Sequence, residues 1–179
     1  MTPIEATQAW LEKAVIGLGL CPFAKAVHGK GQIRWVESRA GAPHELLVDL
    51  GAELRALVAA DPALIDTTML VHPHVLRDFG DYNDFLDLAD ALVVELELDG
   101  VLQIASFHPD YRFAGCAGDA MGNYSNRSPH PTLHLLREAS VAQAVAAFPD
   151  AASIYERNIE TLDRLGLQGW RDLGMGSLS

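Results

Sequence analysis

Several features that would assign this chain to a familiar class are scarce or missing from its 179 residues. It has only two cysteines, Cys21 and Cys116, which argues against a disulfide framework and is typical of a reducing cytoplasm. No apolar run approaches the roughly 18 residues of a membrane span. The N-terminal residues lack the basic and apolar regions of a signal peptide. We therefore expect a cytoplasmic protein with no membrane partner.

Basic residues are also scarce, since 13 Lys and Arg stand against 24 Asp and Glu, for a net charge of −11. Nucleic-acid binding needs a basic footprint, so we expect no nucleic-acid partner. Residues 41–100 alone carry a net charge of −11, because they combine 13 acidic residues with only Arg55 and Arg77. This segment predicts either a solvated outer face of helices or an acidic docking surface.

The motifs of several common enzyme classes are absent as well. The chain contains no G-x-x-x-x-G-K-[ST], no G-x-G-x-x-G after a strand and no G-x-S-x-G. His72, His74, His108 and Asp110 are suitable metal-ligand types, but they form no compact ligand signature. The sequence therefore predicts no metal site and names no cofactor.

The chain does contain a regular alternation of helical and strand-like patterns. Helices are predicted at residues 4–18, 22–27, 43–60, 81–98, 132–148 and 151–165, and strands at residues 32–38, 66–71 and 101–107. Long helices between strands favour parallel pairing with right-handed crossovers. We expect a small α/β fold with a largely parallel sheet of three or four strands covered by helices, and a ferredoxin-like α+β arrangement is the alternative. Residues 1–167 would form this single domain, and residues 168–179 a flexible tail.

The ends of the predicted strands carry the strongest functional signal. The strand at 101–107 runs into His108-Pro109-Asp110, and the strand at 66–71 runs into His72-Pro73. Ligands of open α/β sheets bind beyond the carboxyl ends of the strands, so we expect His72 and His108 at one edge. Each histidine would either take part in catalysis or simply close its strand by bonding a backbone carbonyl. In the catalytic hypothesis, His108 is a general acid/base that Asp110 or an asparagine of the following loop orients.

A helix predicted to start near Pro131 would add an anion site to the same edge. Its free N–H groups and positive dipole end would attract an anion, with Ser128 or His130 as the cap and Arg127 just before it. Further ligand-binding groups would be Asn123 and Asn126 of the polar loop, residues 108–131, and His134 and Arg137 along one helix face. The ligand implied is a small anionic metabolite. The alternative is a satisfied helix cap whose charged pairs fix the loop.

Cys21 is a further candidate because it immediately precedes Pro22. Proline favours the first helical position, which would place Cys21 at the N-cap of a short helix. The positive end of that helix, together with Lys25, would favour a reactive thiolate that acts as a nucleophile or a ligand. The alternative is a buried thiol that only packs.

Longer motifs run through the whole chain. They are Gly-Leu-Cys-Pro-Phe-Ala (19–24), Val-His-Pro (71–73), Asp-Tyr-Asn-Asp-Phe-Leu (81–86), Ser-Phe-His-Pro-Asp-Tyr (106–111), Asn-Arg-Ser-Pro (126–129) and Leu-His-Leu-Leu-Arg-Glu (133–138). From about Trp10 to Leu165 the chain resembles an uncharacterised bacterial family, domain of unknown function 1415. The resemblance implies a soluble, single-domain bacterial protein, and it carries no established activity or catalytic residues.

Two hypotheses about function follow from the residues. One is an enzyme that acts on a small anionic metabolite through the catalytic residues His108, Asp110, Cys21 and His72. The other is a non-catalytic domain that binds a small molecule or a protein, in which the polar side chains of the loop form a structural network. The sequence does not specify an oligomeric state.

Overall fold

Residues 1–148 and 150–174 are described by a computed structural model, in which helices alternate with the strands of one sheet. The strands are β1 (Ile33–Glu37), β2 (Thr67–Val71), β3 (Leu102–Phe107) and β4 (Thr132–Arg137). The α-helices are α1 (Pro3–Trp10), α2 (Ala24–Gly29), α3 (Pro43–Ala59), α4 (Phe79–Glu95), α5 (Glu138–Ala147) and α6 (Ile154–Asp172). A π-helical segment (Leu11–Ile16) continues α1, and short 3-10 helices cover Met121–Asn126 and Ala151–Ser153.

The sheet is mixed, so the prediction of a largely parallel sheet was wrong. Its strand order is β1-β2-β4-β3, with β1 and β2 parallel and β4 antiparallel to both of its neighbours. The three predicted strands still run in one direction, as their helical connections require. However, β4 lies between β2 and β3, so two of the three strand pairs are antiparallel. The element order β-α-β-α-β-β-α also differs from the β-α-β-β-α-β order of the ferredoxin-like alternative.

The reason for this difference is the segment 132–148, which was predicted to be one helix. Residues 132–137 form β4, and the helix begins only at Glu138. Leu133 and Leu135 alternate onto one face of the sheet and are fully buried there. Ladders on both sides satisfy the backbone of a central strand, and they override a local pattern that fits either a strand or a helix.

Two hydrophobic cores cover the two faces of the sheet. On one face, α3 and α4 pack against the strands, and Leu46, Leu50, Leu54 and Leu57 of α3 are fully buried. Burying a leucine side chain contributes about 2 kcal/mol, so this stripe accounts for the docking of α3. On the other face, the α1 segment and α6 enclose a core that includes Trp10 and Met69.

The C-terminal part of α6 belongs to this second core. Gly166 interrupts the helix with a φ of 65°, a left-handed conformation that glycine adopts readily. The chain then continues as helix to Asp172, and Trp170 is buried among the residues of the second core. The predicted tail at 168–179 therefore begins inside a helix, and its residues 175–179 lie outside the described part of the chain. Within the described part, none of the helices has the length and apolar character needed to cross a membrane.

Candidate functional site

Three strands end at the same edge of the sheet, which we call the strand-end edge. β1 ends there at Glu37, β2 at Val71 and β3 at Phe107, while β4 begins there between β2 and β3. His72 and His108 follow β2 and β3 directly, so the structure places both imidazoles at this edge. Both residues are fully buried.

The His108 imidazole uses both of its ring nitrogens within the protein. Its Nδ1 accepts the backbone N–H of Asp110 at 3.0 Å, so Nε2 carries the proton and donates to the Leu76 carbonyl at 3.1 Å. Asp110 thus orients the ring through its backbone, and its side chain is exposed. Burial lowers the pKa of His108 and keeps the ring neutral, although the Leu76 carbonyl opposes this effect.

Only one of the two ring nitrogens of His72 has a hydrogen-bond partner among the described residues. Its Nδ1 donates to the Val75 carbonyl at 3.1 Å, and its ring stacks on Tyr82 with centroids 5.8 Å apart. Burial lowers the pKa of His72 from 6.5 to about 4, so the ring is neutral at pH 7. Its Nε2 is buried and has no hydrogen-bond partner among the described residues.

Together the two imidazoles fix the turn that follows β2. They donate to the carbonyls of two consecutive residues, Val75 and Leu76. Leu76 has a φ of 56°, a left-handed conformation that costs energy for a residue with a side chain. The hydrogen bonds from His72 and His108 stabilise the turn in this conformation.

Tyr82 joins His72 and His108 in a polar network at the strand-end edge, a role that the sequence analysis missed. The inward stripe of α4 predicts a core position for Tyr82, and its hydroxyl joins two strand ends there. The hydroxyl donates to the Thr132 carbonyl at 2.9 Å and accepts the N–H of Phe107 at 3.0 Å. Burial raises the pKa of Tyr82, so the phenol stays protonated. The available signal was that a buried tyrosine hydroxyl nearly always needs a partner.

The asparagines of the polar loop also bond to the backbone. Asn123 is fully buried, with its side-chain oxygen accepting the N–H of Phe113 at 3.0 Å and its amide donating to the Ala117 carbonyl at 2.8 Å. The Asn126 amide donates to the Ser106 carbonyl at 3.1 Å. These contacts tie the loop to itself and to β3.

Arg127 and Ser128 are engaged in the same way. The Arg127 guanidinium donates to the Tyr111 carbonyl at 3.2 Å and to the Gly118 carbonyl at 2.7 Å, and it lies 4.3 Å from the centroid of the Tyr124 ring. The Ser128 hydroxyl donates to the carbonyl two residues further on at 2.6 Å. Because residues 132–137 are a strand, the free helix N-terminus predicted beside Arg127 does not form.

His134 and Arg137 belong to β4, so the prediction that they share a helix face was wrong. Both lie away from the strand-end edge. His134 lies in the middle of β4, where its Nε2 is 2.6 Å from the Thr67 hydroxyl and burial lowers its pKa to about 4. Arg137 lies at the far end of β4. Its Nη2 lies 2.7–3.0 Å from three carbonyl oxygens, two of them at the C-terminal end of α3, and shares its two N–H groups among the three. Its Nε is buried and has no hydrogen-bond partner among the described residues.

Cys21 and Lys25 also lie apart from the two imidazoles. The N-cap of α2 is Phe23, so the prediction that Cys21 caps this helix was wrong. Residues 21–23 instead form a turn, and the partly buried Cys21 packs against the core between the sheet, α1 and α6. His72 and His108 contact Tyr82 of α4 on the other face of the sheet. Lys25 is exposed.

An open groove runs beside the strand-end edge, and we call it the α4 groove. It has a volume of about 610 Å³. It is lined by the turn 74–78, by Asp81, Asp84, Phe85 and Leu88 of α4, and by the start of α3. Val75 and Leu76 therefore lie in one wall of the groove. Their carbonyls accept the hydrogen bonds from His72 and His108.

Metal-ligand types do not cluster in the described part of the chain. Within residues 1–148 and 150–174, no group of three or more His, Cys, Asp or Glu side chains is arranged to hold a metal ion. His74 and Asp110 are both exposed, whereas His72 and His108 are buried.

No curated protein and no solved structure matches this chain. A family model does match, however, and it covers residues 2–172, which is nearly the whole sequence. This match agrees with the motifs at residues 19–24, 71–73 and 106–111, which lie around the strand-end edge and α2. The chain therefore belongs to the family described as protein of unknown function, DUF1415.

Proposed function

We propose that this protein is a non-catalytic binding domain, in which the polar network at the strand-end edge is structural and the α4 groove is the binding surface. The observation that carries the proposal is the bonding of the predicted catalytic and ligand-binding groups. His108 and Asn123 direct their polar side-chain atoms, and Arg127 its Nε and Nη2, to backbone groups of their own chain. A general base needs a free lone pair within reach of a substrate, and the His108 ring has none.

One observation favours the competing enzyme hypothesis. Nε2 of His72 keeps an unshared lone pair, and burial leaves its pKa low. To act on a substrate, however, this nitrogen would need a path to solvent, and the residue is fully buried. The thiol that was expected to join it packs on the opposite face of the sheet.

Replacing His108 separates the two hypotheses. His108→Ala leaves the Leu76 carbonyl and the Asp110 N–H without their partner, so we expect the melting temperature to fall by roughly 5–10 °C. His108→Gln retains a donor near the position of Nε2 and should recover part of this loss. Arg127→Ala should destabilise the loop in the same way, whereas the exposed Arg112→Ala in the same loop is the matched control.

A search for turnover complements the thermal data. The purified protein and the His108→Gln variant are each incubated with a cell metabolite extract, and consumed species are followed by mass spectrometry. We expect no metabolite to be consumed in either sample. A metabolite consumed by the natural protein and spared by the folded variant would overturn the proposed function.

A further inference from the structure

We infer that the α4 groove binds a basic, amphipathic segment of another protein. The inference rests on the proposed function, because it names the partner class of the same groove. It uses three properties of the groove: its charge, its apolar surface and its openness.

The charge of the groove selects a cationic partner. Three carboxylates line it, those of Asp78, Asp81 and Asp84, against one guanidinium, that of Arg77. Asp78 caps α4 by accepting the N–H groups of Gly80 and Asp81, so its carboxylate is already engaged. Asp81 and Asp84 are exposed, and the ion pairs in the described part of the chain, Arg34–Glu53 and His28–Glu12, include neither of them.

The apolar surface of the groove selects a partner with hydrophobic side chains. Leu88 is 54% exposed. It lies on α4 one turn after Asp84 and lines the groove together with the buried Phe85. Asp81, Asp84 and Leu88 are spaced three and four residues apart, so they share one face of α4. A partner with lysine or arginine near the start of α4 and an apolar side chain against Leu88 would match this face.

The openness of the groove favours a peptide segment over a small molecule. Pockets that hold small ligands typically enclose 70–90% of the ligand surface, whereas this groove is largely open to solvent. A helix or an extended segment can leave one side in solvent and continue beyond the groove. A second copy of this chain is a poor occupant, because two faces of the same acidic charge repel each other.

Buried hydrogen bonds hold one wall of the groove in place. Its wall at Val75 and Leu76 is held by the His72 and His108 imidazoles, and Leu76 keeps its left-handed backbone. A surface that is fixed in advance loses less conformational entropy on binding. The buried polar network thus positions the residues that form the binding surface.

The test uses the full-length protein and a labelled peptide of Lys, Leu and Ala whose leucines follow helical spacing. Fluorescence anisotropy measures its affinity at low salt, and amide chemical shifts locate the binding site. We expect binding at α4 that weakens with added salt. A matched peptide with Glu in place of every Lys should bind at least about tenfold more weakly.

Paired variants on α4 identify the groove. The double variant Asp81→Asn, Asp84→Asn should weaken peptide binding at least about tenfold. The control is the double variant Asp87→Asn, Asp90→Asn, which changes the charge of the same helix equally but outside the groove. It should have a much smaller effect on binding. Leu88→Ala should also weaken binding, and Val94→Ala, which removes a similarly exposed side chain outside the groove, should not.

The outcomes separate the inference from the proposed function. Equal binding of the Lys and Glu peptides in the groove would overturn the basic partner and leave the binding domain intact. Binding of spermine as tight as that of the peptide, with no effect of Leu88→Ala, would replace the protein partner with a small polycation. The absence of any binding at α4 would overturn this inference, and His108-dependent turnover would overturn the proposed function by itself.

Discussion

At the scale of single residues, the hydrogen bonds at the strand-end edge set the protonation state of each imidazole. His108 is neutral with its proton on Nε2, because a backbone N–H points at Nδ1. His72 is neutral with its proton on Nδ1, because the Val75 carbonyl accepts it. Protonating either ring in the folded protein would put a positive charge into a buried site, which is why burial lowers both pKa values.

The buried histidines predict a loss of stability in mild acid. The pKa of His72 is about 4 in the folded protein and 6.5 in an ordinary environment, so between these values the unfolded chain binds more protons. The free energy of unfolding therefore falls as the pH drops from about 6.5 to 4 and levels off below that range. His72 alone accounts for a loss on the order of 3 kcal/mol, and His134, with a similarly lowered pKa, adds to it.

Urea denaturation between pH 4 and pH 7 measures this loss. His72→Asn retains a donor near the position of Nδ1 and removes the titration, so the pH dependence should become shallower. His44→Asn, at an exposed position of α3, should retain the full slope. Equal slopes for the natural protein and His72→Asn would contradict the linkage.

At the scale of elements, β4 depends on contacts with segments far away in the sequence. Its side chains alternate between the two faces, with Leu133 and Leu135 in the core against α3 and α4 and His134 on the opposite face. Arg137 then anchors the end of the strand to carbonyls at the C-terminal end of α3. The Leu57 carbonyl also accepts the N–H of Ala60 at 3.2 Å, and the guanidinium complements the negative end of the helix dipole.

Arg137 should therefore stabilise the fold and take no part in binding. Arg137→Met preserves most of the side-chain stem but removes the charged donor that the three carbonyls share, so we expect a loss of about 2–3 kcal/mol in chemical denaturation. Arg164→Met on the exposed face of α6 is the control and should change stability little. A loss below about 1 kcal/mol for Arg137→Met would mean that water replaces the guanidinium at these carbonyls.

At the scale of the whole molecule, helices on both faces of the sheet complete the two cores. The layer formed by α1 and α6 depends on a helical segment that follows Gly166, and Trp170 there packs edge-on against Tyr124 of the polar loop with centroids 5.1 Å apart. The end of α6 thereby supports the segment that carries Arg127. We therefore predict that the domain extends beyond residue 167.

Trp170 gives a direct test of this extension. Trp170→Ala should lower the free energy of unfolding by roughly 3–5 kcal/mol, because it leaves a large cavity in the second core. Leu167→Ala, at a position that is 42% exposed, should cost much less. If Trp170→Ala cost no more than Leu167→Ala, the end of α6 would not be an integral part of the domain.

The sequence was sufficient for features that depend on local pattern. Amphipathic periodicity located α3 and α4, and the His-Pro pairs marked the ends of β2 and β3. The prediction that His72 and His108 share an edge held, because helical crossovers between β1, β2 and β3 force the three strands to run in one direction. Membership of the family likewise followed from motifs along the chain and is confirmed by the match over residues 2–172.

Only the tertiary structure decided what the polar side chains contact. Whether His108 faces a substrate or the Leu76 carbonyl, and whether Arg127 faces an anion or the Gly118 carbonyl, depends on segments that the chain brings together only when folded. The same holds for residues 132–137, whose apolar spacing fits a helix as well as a strand until β2 and β3 offer hydrogen bonds on both sides. Periodicity is a property of neighbouring residues and survives in the sequence, whereas hydrogen-bond partners distant along the chain are set by the packing of the complete sheet and its helices.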